Sequence, residues 1–270
     1  MNTIEEKQFD TIRYWKLGSN RFGKPNMHVY CFLVDGLLID TGQPLIKSDL
    51  LNALAPHPID HIIVTHHHED HSGNIEAIKE AKAIPAFASK KCCKIMQNPP
   101  RVEPARWMTW GQMPNAHLKE LSLDAPFCTN NHEFTVISTP GHAIDQISLY
   151  EPTKGWLFSG DLYVHDYIKV FMKEEDIGQQ IDSLKRLIQL DFDVLWCNHQ
   201  PILKGGKQRL KNKLQFLEDF YGTVANAYQK GMSVPQLMKI LGLKDKLLMK
   251  WISLGQLSRS NMVRSVIKNI

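Results

Sequence analysis

The stretch from residue 65 to residue 71 contains four histidines and two acids, an unusual concentration of groups that bind metals. In extended chain that leaves a strand, alternate side chains point to the same side, and a following turn brings the next residues to a neighbouring position. Four side chains are then placed to hold two adjacent metal ions: His66, His68, Asp70 and His71. In this register His67 and Glu69 point the other way. Neutral imidazole and carboxylate groups suit zinc, and also manganese or iron(II).

Three later strands are predicted to end in residues of the same kind. These residues are His142, Asp161 and His199. Loop mouths at the ends of strands are where α/β folds build their sites. A single histidine is more often structural than a ligand, but a set that follows four separate strands predicts a shared metal site.

The motifs that carry these residues resemble those of the metallo-β-lactamase superfamily. The signature H-x-H-x-D-H is present as HHHEDH at 66–71, and the other family motifs occur in the family's order: IDTG with Asp40, TPGH with His142, FSGD with Asp161 and CNHQP with His199. The resemblance covers roughly residues 10–205. It implies a four-layer αββα sandwich, with two central sheets between outer helices and a dinuclear metal site at one edge.

The resemblance also implies a role for each of these residues. The first metal would be bound by His66, His68 and His142. The second metal would be bound by Asp70, His71 and His199. Asp161 would bridge the two metals, and Asp40 would orient a ligand through hydrogen bonds. Considered alone, Asp40 could equally be a turn residue before Thr41 and Gly42.

Such a site predicts a metal-dependent hydrolase. Two divalent cations, with zinc as the expectation and manganese or iron as alternatives, can share a water and lower its pKa, so that the resulting hydroxide is the nucleophile. Asp70 is the best candidate to orient that water and carry its proton, and Asp40 supports the site. We expect a small-molecule substrate, namely an ester, a thioester or a lactone.

Other activities of similar sites stay open. The same fold, joined to a winged-helix-like C-terminal domain, supports single-strand endoribonucleases, which makes RNA an alternative substrate. A mononuclear-iron persulfide dioxygenase is less favoured, because His71 and His199 complete a second metal position. His68 stands where flavodiiron relatives need Glu, and a bridging aspartate argues against a true β-lactamase. A binding protein without activity is the last alternative.

The elements that position these residues alternate between strands and helices, which predicts an α/β body. A hairpin is predicted in MHVYCFLVDGLLIDTG, with Asp35 and Gly36 in its turn. The short apolar run HIIVT is a buried strand that leads to His66. From about residue 206 the pattern is helical only. We therefore predict a catalytic domain at 1–205 and a small, mostly helical C-terminal domain at 206–270.

The C-terminal segment is also strongly basic. Residues 201–270 contain 13 Lys or Arg against 3 Asp or Glu, although the whole chain has a net charge of only +4. A basic segment of this kind can contact phosphates, form a dimer or simply expose solvated helix faces.

Between residues 89 and 131 the periodicity weakens, and prolines alternate with Trp107, Met108, Trp110 and Met113. This segment either caps a substrate pocket or packs as a long connection. The five cysteines show no disulfide spacing, and the sequence shows no signal peptide or membrane span, so we expect a cytoplasmic protein that does not enter membranes.

Overall fold

The computed structural model describes residues 2–20, 23, 25 and 27–270. Within these residues, a first sheet has its strands in chain order. They are β1 (Asn2–Phe9), β2 (Ile12–Ser19), β3 (His28–Val34), β4 (Leu37–Ile39), β5 (His61–Ile63), β6 (Ala86–Ala88) and β7 (Lys119–Glu120). The strands β1 to β4 are antiparallel, and β4 to β7 are parallel.

A second sheet has the strand order β13-β11-β10-β9-β8 in the described part of the chain. Its strands are β8 (Phe127–Cys128), β9 (Glu133–Ser138), β10 (Ile147–Glu151), β11 (Trp156–Gly160) and β13 (Val194–Cys197). The neighbours β11 and β13 run parallel, so their carboxyl ends meet at the same edge. A short separate pair joins β12 (Phe171–Met172) to β14 (Leu257–Ser258).

The helices of the described residues cover the outer faces of both sheets. They are α1 (Lys47–Leu54), α2 (Glu69–Ser72), α3 (Ile75–Lys82), α4 (Lys90–Gln97), α5 (Pro104–Thr109), α6 (Ile177–Leu187), α7 (Gly206–Gln229), α8 (Val234–Ile240), α9 (Leu247–Ile252) and α10 (Arg259–Lys268). No helix in the described ranges is long and apolar enough to cross a membrane.

The alternation of side chains along the strands builds the layers. In β3, Cys31 and Leu33 pack with the helices on the outer face of the first sheet. Phe32 and Val34 face the second sheet, where they join Phe158 in a core between the two sheets. The predicted αββα sandwich is confirmed, as is the β3–β4 hairpin, whose turn residues Asp35 and Gly36 both have the positive φ that a tight two-residue turn requires.

The C-terminal helices pack on the outer face of the second sheet. Leu210 and Leu217 of α7 and Val263 of α10 belong to the same hydrophobic core as Leu157 of β11 and Leu184 of α6. The ladder between β12 and β14 adds main-chain hydrogen bonds between the two parts of the chain. The division at residue 205 stays a prediction, and the two segments share one core across it.

The parts of the fold that were not predicted include two strand pairings. The sequence analysis assigned no strands to residues 2–19, where β1 and β2 extend the first sheet. It also missed the pairing of β12 with β14, whose strands are two residues long and lie 85 positions apart in the chain. Strands this short show no period of their own, since their pairing is set by the packing of the helices around them.

Candidate metal centre

The strands of both sheets deliver the predicted ligands to one edge of the sandwich. His66 and His68 follow β5, and the short helix α2 then carries Asp70 and His71. The remaining three follow strands of the second sheet: His142 after β9, Asp161 after β11 and His199 after β13. Five of the seven side chains are buried, and His142 and His199 are partly buried. The protein therefore holds a cluster of charged and polar groups in its interior.

The first group of ligand atoms consists of three imidazole nitrogens. Nε2 of His66 lies 3.0 Å from Nδ1 of His68, and Nε2 of His142 lies 3.1 Å from the same nitrogen. The side-chain nitrogens of this group all lie within 4.8 Å of one another, as a shared cation requires. The structure therefore brings together the three residues expected at the first metal.

The second group combines two imidazoles with two carboxylates. Oδ2 of Asp161 lies 3.1 Å from Nε2 of His199 and 3.4 Å from Nε2 of His71. Oδ2 of Asp70 lies 3.4 Å from Nε2 of His199. The same Oδ2 of Asp161 is 3.7 Å from Nε2 of His142 in the first group, so Asp161 stands between the two groups.

Each of the five histidines has an oxygen beside the ring nitrogen that points away from the cluster. In the first group, His66 has Thr65 Oγ1 at 3.0 Å, His68 has Glu174 Oε1 at 3.0 Å and His142 has Glu175 Oε2 at 3.4 Å. In the second group, His71 has Asp40 Oδ2 at 2.9 Å and His199 has the His28 carbonyl oxygen at 2.7 Å. Such partners hold the ring orientation and leave the inward nitrogen free to bind a metal.

Asp40 is the most connected of these partners. Its carboxylate accepts hydrogen bonds from the Thr65 amide at 2.8 Å and from Nδ2 of Asn198 at 2.7 Å, besides its contact with His71. The side chain is completely buried, and the backbone has a positive φ of 60°. A strained, buried aspartate whose carboxylate contacts three other residues is a feature of functional sites more often than of simple turns.

The donor set and its unsatisfied atoms test whether cations fit here. Nε2 of His71 and Oδ1 of Asp161 are buried and make no hydrogen bond within the described structure. Buried polar atoms without partners are costly, and ligation of a cation removes that cost. One group offers three imidazoles, and the other offers two imidazoles and two carboxylates. Both donor sets suit divalent zinc, manganese or iron. The residues fit two divalent cations.

The two groups differ in their protonation. Burial holds the pKa values of His66 and His68 well below the usual range, so these rings are neutral and ready to bind. Burial alone would also lower the pKa values of His71 and His199, but the nearby Asp161 carboxylate raises them well above the usual range. A cation that enters the second group therefore displaces protons.

The two residues between the predicted ligands have other partners. His67 is fixed by Asp145, which accepts from the His67 amide at 2.8 Å and lies 2.8 Å from its Nδ1. Glu69 is fully buried and forms an ion pair with two nitrogens of Arg106, a residue of α5. Because Arg106 lies beside the cavity described below, this pair ties the 89–131 segment to the ligand motif.

The sequence analysis missed several of these supporting groups. Glu174 and Glu175 precede α6, and in the sequence they look like the acidic start of a helix, for which Asp176 is the actual N-cap. Asp145 stands in a loop without any motif. No local pattern separates such residues from solvated acids, because their contacts arise from the packing of the two sheets.

A cavity of about 370 Å³ opens above the ligand groups, and ten of its lining residues are apolar and larger than alanine. Met108 and Trp110 come from the 89–131 segment, as the pocket-capping prediction for this segment requires, whereas Met113 lies in the core. The far wall comes from the C-terminal segment, which contributes Met249, Ile252 and Leu257. Among the polar lining residues is Lys213 of α7, whose pKa burial lowers to about 8.

Comparison with known proteins agrees with this geometry. The family model of the metallo-beta-lactamase superfamily matches residues 26–110. A beta-lactamase-like protein 2 homolog from Caenorhabditis elegans is 28% identical over 176 residues, which are 62% of this chain and 52% of that protein. A hydroxyacylglutathione hydrolase from Bartonella henselae is 32% identical over 142 residues, or 52% of this chain and 48% of that one. The chain thus spans about half the length of these curated relatives.

Solved structures show the same fold at low sequence identity. A metallo-beta-lactamase from Pontibacter korlensis is 18% identical with a TM-score of 0.61, and the match covers 80% of this chain and 99% of that one. A flavo di-iron protein from Thermotoga maritima is 18% identical with a TM-score of 0.62, covering 90% and 72% of the two chains. The resemblance predicted from the motifs is therefore confirmed: the chain has the metallo-β-lactamase fold, and its residues 26–110 carry the sequence pattern of that superfamily.

Proposed function

We propose that this chain is a metal-dependent hydrolase that uses water to cleave a small ester, thioester or lactone. The observation that carries the proposal is the pairing of ring nitrogens. All five histidines of the cluster direct one nitrogen inward to a neighbouring ligand atom and have an oxygen at the other. A merely structural cluster has no need for this uniform arrangement.

The ligand assignment follows the two groups. His66, His68 and His142 would hold one divalent cation, and Asp70, His71 and His199 would hold a second, with Asp161 between them. We propose zinc, with manganese and iron as alternatives. When bound, such cations supply Lewis acidity, which lowers the pKa of a coordinated water toward neutrality and polarises a carbonyl oxygen.

The residues of the chain would orient the reactants and move the proton. Asp70 is buried next to His199 and borders the cavity, so its carboxylate is placed to orient the attacking water and accept its proton. Asp40 accepts a hydrogen bond from Nδ1 of His71 and thereby keeps its Nε2 lone pair directed into the site. The apolar cavity wall would exclude bulk water and bind the apolar part of the substrate.

A thioester is the favoured substrate class. Hydroxyacylglutathione hydrolases recur among the relatives, and the cavity is of a size for a small acyl group rather than a polymer. The basic C-terminal segment keeps single-strand RNA as an alternative, but the side chains that this segment contributes to the cavity are mainly apolar. A persulfide oxidation by one iron is less favoured because the second ligand group is complete. A cytoplasmic location and a homodimer stay predictions.

The proposal is tested with purified protein of known metal content on a substrate panel. The panel contains a hydroxyacyl glutathione thioester, short acyl thioesters, p-nitrophenyl esters, lactones and a fluorescent single-stranded RNA. We expect hydrolysis of a thioester, an ester or a lactone that the Asp70→Asn variant loses by at least a hundredfold in kcat. Cleavage of RNA alone, or of no panel member by the metal-loaded protein, would refute the proposal.

A further inference from the structure

Helix α9 is apolar on its inner face and on its outer face. On the inner face, Met249 and Ile252 line the cavity above the ligand groups. The outer face exposes Leu247, Leu248 and Trp251, at 81%, 72% and 78% of their surface, and Leu254, just after the helix, is 73% exposed. These are the most exposed large apolar side chains in the described ranges. An exposed apolar patch of this kind marks an interaction site.

Three of the four exposed residues share one side of α9, and the fourth lies just after its end. Leu247, Leu248 and Trp251 stand at i, i+1 and i+4 on one side of α9, which ends at Ile252, and Leu254 follows the helix two residues later. We call these four residues the apolar stripe. The transfer of an exposed Leu or Trp side chain from water to an apolar phase has a favourable free energy, so these residues favour association with an apolar partner.

Positive charge surrounds the stripe. Lys244, Lys246 and Lys250 are exposed in and next to α9. The acid among them, Asp245, pairs with Lys250 at 3.1 Å and accepts hydrogen bonds from the Arg259 and Ser260 amides, which leaves Lys244 and Lys246 as the excess positive charge. The neighbourhood of the stripe therefore presents a net positive charge.

We propose that this face of α9 docks on the surface of an anionic lipid bilayer. The docking surface consists of Lys244, Lys246, Leu247, Leu248, Lys250, Trp251 and Leu254, and we call it the α9 surface. Leu side chains enter the acyl boundary, Trp prefers the interface, and Lys side chains pair with anionic headgroups. The proposal goes beyond the hydrolase activity and does not depend on it, since lipid binding needs no bound metal.

Charge complementarity selects this occupant over the other candidates. A second copy of the chain, docked through the same face, would bring two positively charged segments together, since residues 201–270 carry 13 Lys or Arg against 3 acids. A nucleic acid offers phosphates for the lysines but no apolar phase for three exposed leucines. An anionic bilayer offers both, and it would place a wall of the cavity next to the lipid.

The test is cosedimentation of the full chain with vesicles. One set of vesicles is phosphatidylcholine alone, and the other contains phosphatidylserine in addition. We expect binding to the anionic vesicles that weakens as salt is added. The variants L247S/W251S and K244Q/K246Q should each lower the partition coefficient by roughly tenfold or more.

Matched variants elsewhere control for the loss of apolar area and of charge. L123S removes a leucine that is 50% exposed outside the C-terminal segment, and K90Q/K91Q removes two exposed lysines of α4. Both controls should bind like the parent protein. All changes are at exposed positions, so melting temperatures should stay within a few degrees of the parent.

Three outcomes overturn the proposal. They are no binding to anionic vesicles, binding that does not depend on phosphatidylserine, and binding that K244Q/K246Q and K90Q/K91Q weaken equally. Light scattering adds a further check on the occupant. If the protein does not bind vesicles but forms a concentration-dependent dimer that L247S/W251S abolishes, the α9 surface binds a second copy of the chain instead.

Discussion

The carboxylate Oδ2 of Asp40 lies 2.9 Å from Nδ1 of His71, and both side chains are completely buried. Asp40 follows β4 and His71 lies in α2, 31 positions apart in the chain, and the parallel pairing of β4 with β5 brings them together. The contact determines which nitrogen of His71 faces the second ligand group. Asp40 is thus a positioning residue whose effect reaches the site through His71.

Replacing Asp40 by Asn should weaken the second metal more than the first. Asn is of similar size, but it carries no charge and it turns a donor toward partners that already donate to Asp40. We expect an affinity loss of about 10- to 100-fold for one of two cations in a competition titration with a chelator. Asp124→Asn, at an exposed loop position, is the matched control and should leave both affinities unchanged. Equal weakening of both cations would contradict the assignment.

The ion pair between Arg106 and Glu69 should be important for stability. Because Glu69 is fully buried, replacing Arg106 by Met leaves an unpaired carboxylate inside the protein. We expect a loss of about 3–5 kcal/mol in the free energy of unfolding, measured by urea denaturation. The double variant R106M/E69Q should recover a large part of that loss, since no buried charge is then left unpaired. A single variant as stable as the parent would show that the pair is not formed.

The apolar wall should determine how well the substrate binds. Ile252 of α9 lines the cavity, and truncation to Ala removes apolar contact with a bound acyl group. For the preferred acyl substrate we expect kcat/KM to fall roughly 5- to 50-fold, mainly through KM. The control is Ile240→Ala on α8, where the side chain is 56% exposed and away from the cavity. An effect confined to kcat would argue against a binding role for Ile252.

Asp245 should make the stability of the C-terminal segment depend on pH. Burial tends to raise the pKa of Asp245. That pKa is nevertheless held below its ordinary value of 3.8, because the carboxylate accepts hydrogen bonds from Ser260 and Arg259 and lies beside the Lys250 ammonium. Its contribution is therefore present above the unfolded pKa and is lost as the pH falls through the folded value. Asp245→Asn weakens these hydrogen bonds and should cost about 1 kcal/mol at neutral pH.

The difference in the free energy of unfolding between the parent protein and Asp245→Asn should shrink as the pH approaches 3. The comparison is made by urea denaturation with a chelator present, so that metal binding does not contribute. Asp182→Asn, an exposed position on α6, serves as the control. A difference that grows toward low pH would reverse the predicted sign.

The clustering of the candidate ligands could be predicted from sequence because its information is local. His66 to His71 are neighbours in the chain, and His142, Asp161 and His199 each follow a strand that is recognisable by its apolar run. The carboxyl ends of β11 and β13 then meet because the two strands are parallel neighbours. The αββα sandwich was expected from the resemblance of the motifs, whereas the C-terminal helices could be predicted because their apolar patterns are long and periodic.

The supporting residues could not be predicted because their roles arise from packing. Glu174 meets His68 across 106 positions, and Glu175 meets His142 from the same turn before α6. Neither residue has a spacing that distinguishes it from a solvated acid. The cavity wall provided by α9 depends on how the C-terminal segment packs, which the pattern of one helix does not reveal.

Metal content of freshly purified protein is the most direct test of the two-cation account. Elemental analysis is read against protein concentration, with the Asp161→Ala variant prepared in parallel. The account predicts about two zinc or manganese ions per chain in the parent protein, as the two ligand groups require. It also predicts a lower content and no hydrolysis in Asp161→Ala. About one iron per chain in the parent, together with a fully active Asp161→Ala variant, would contradict it.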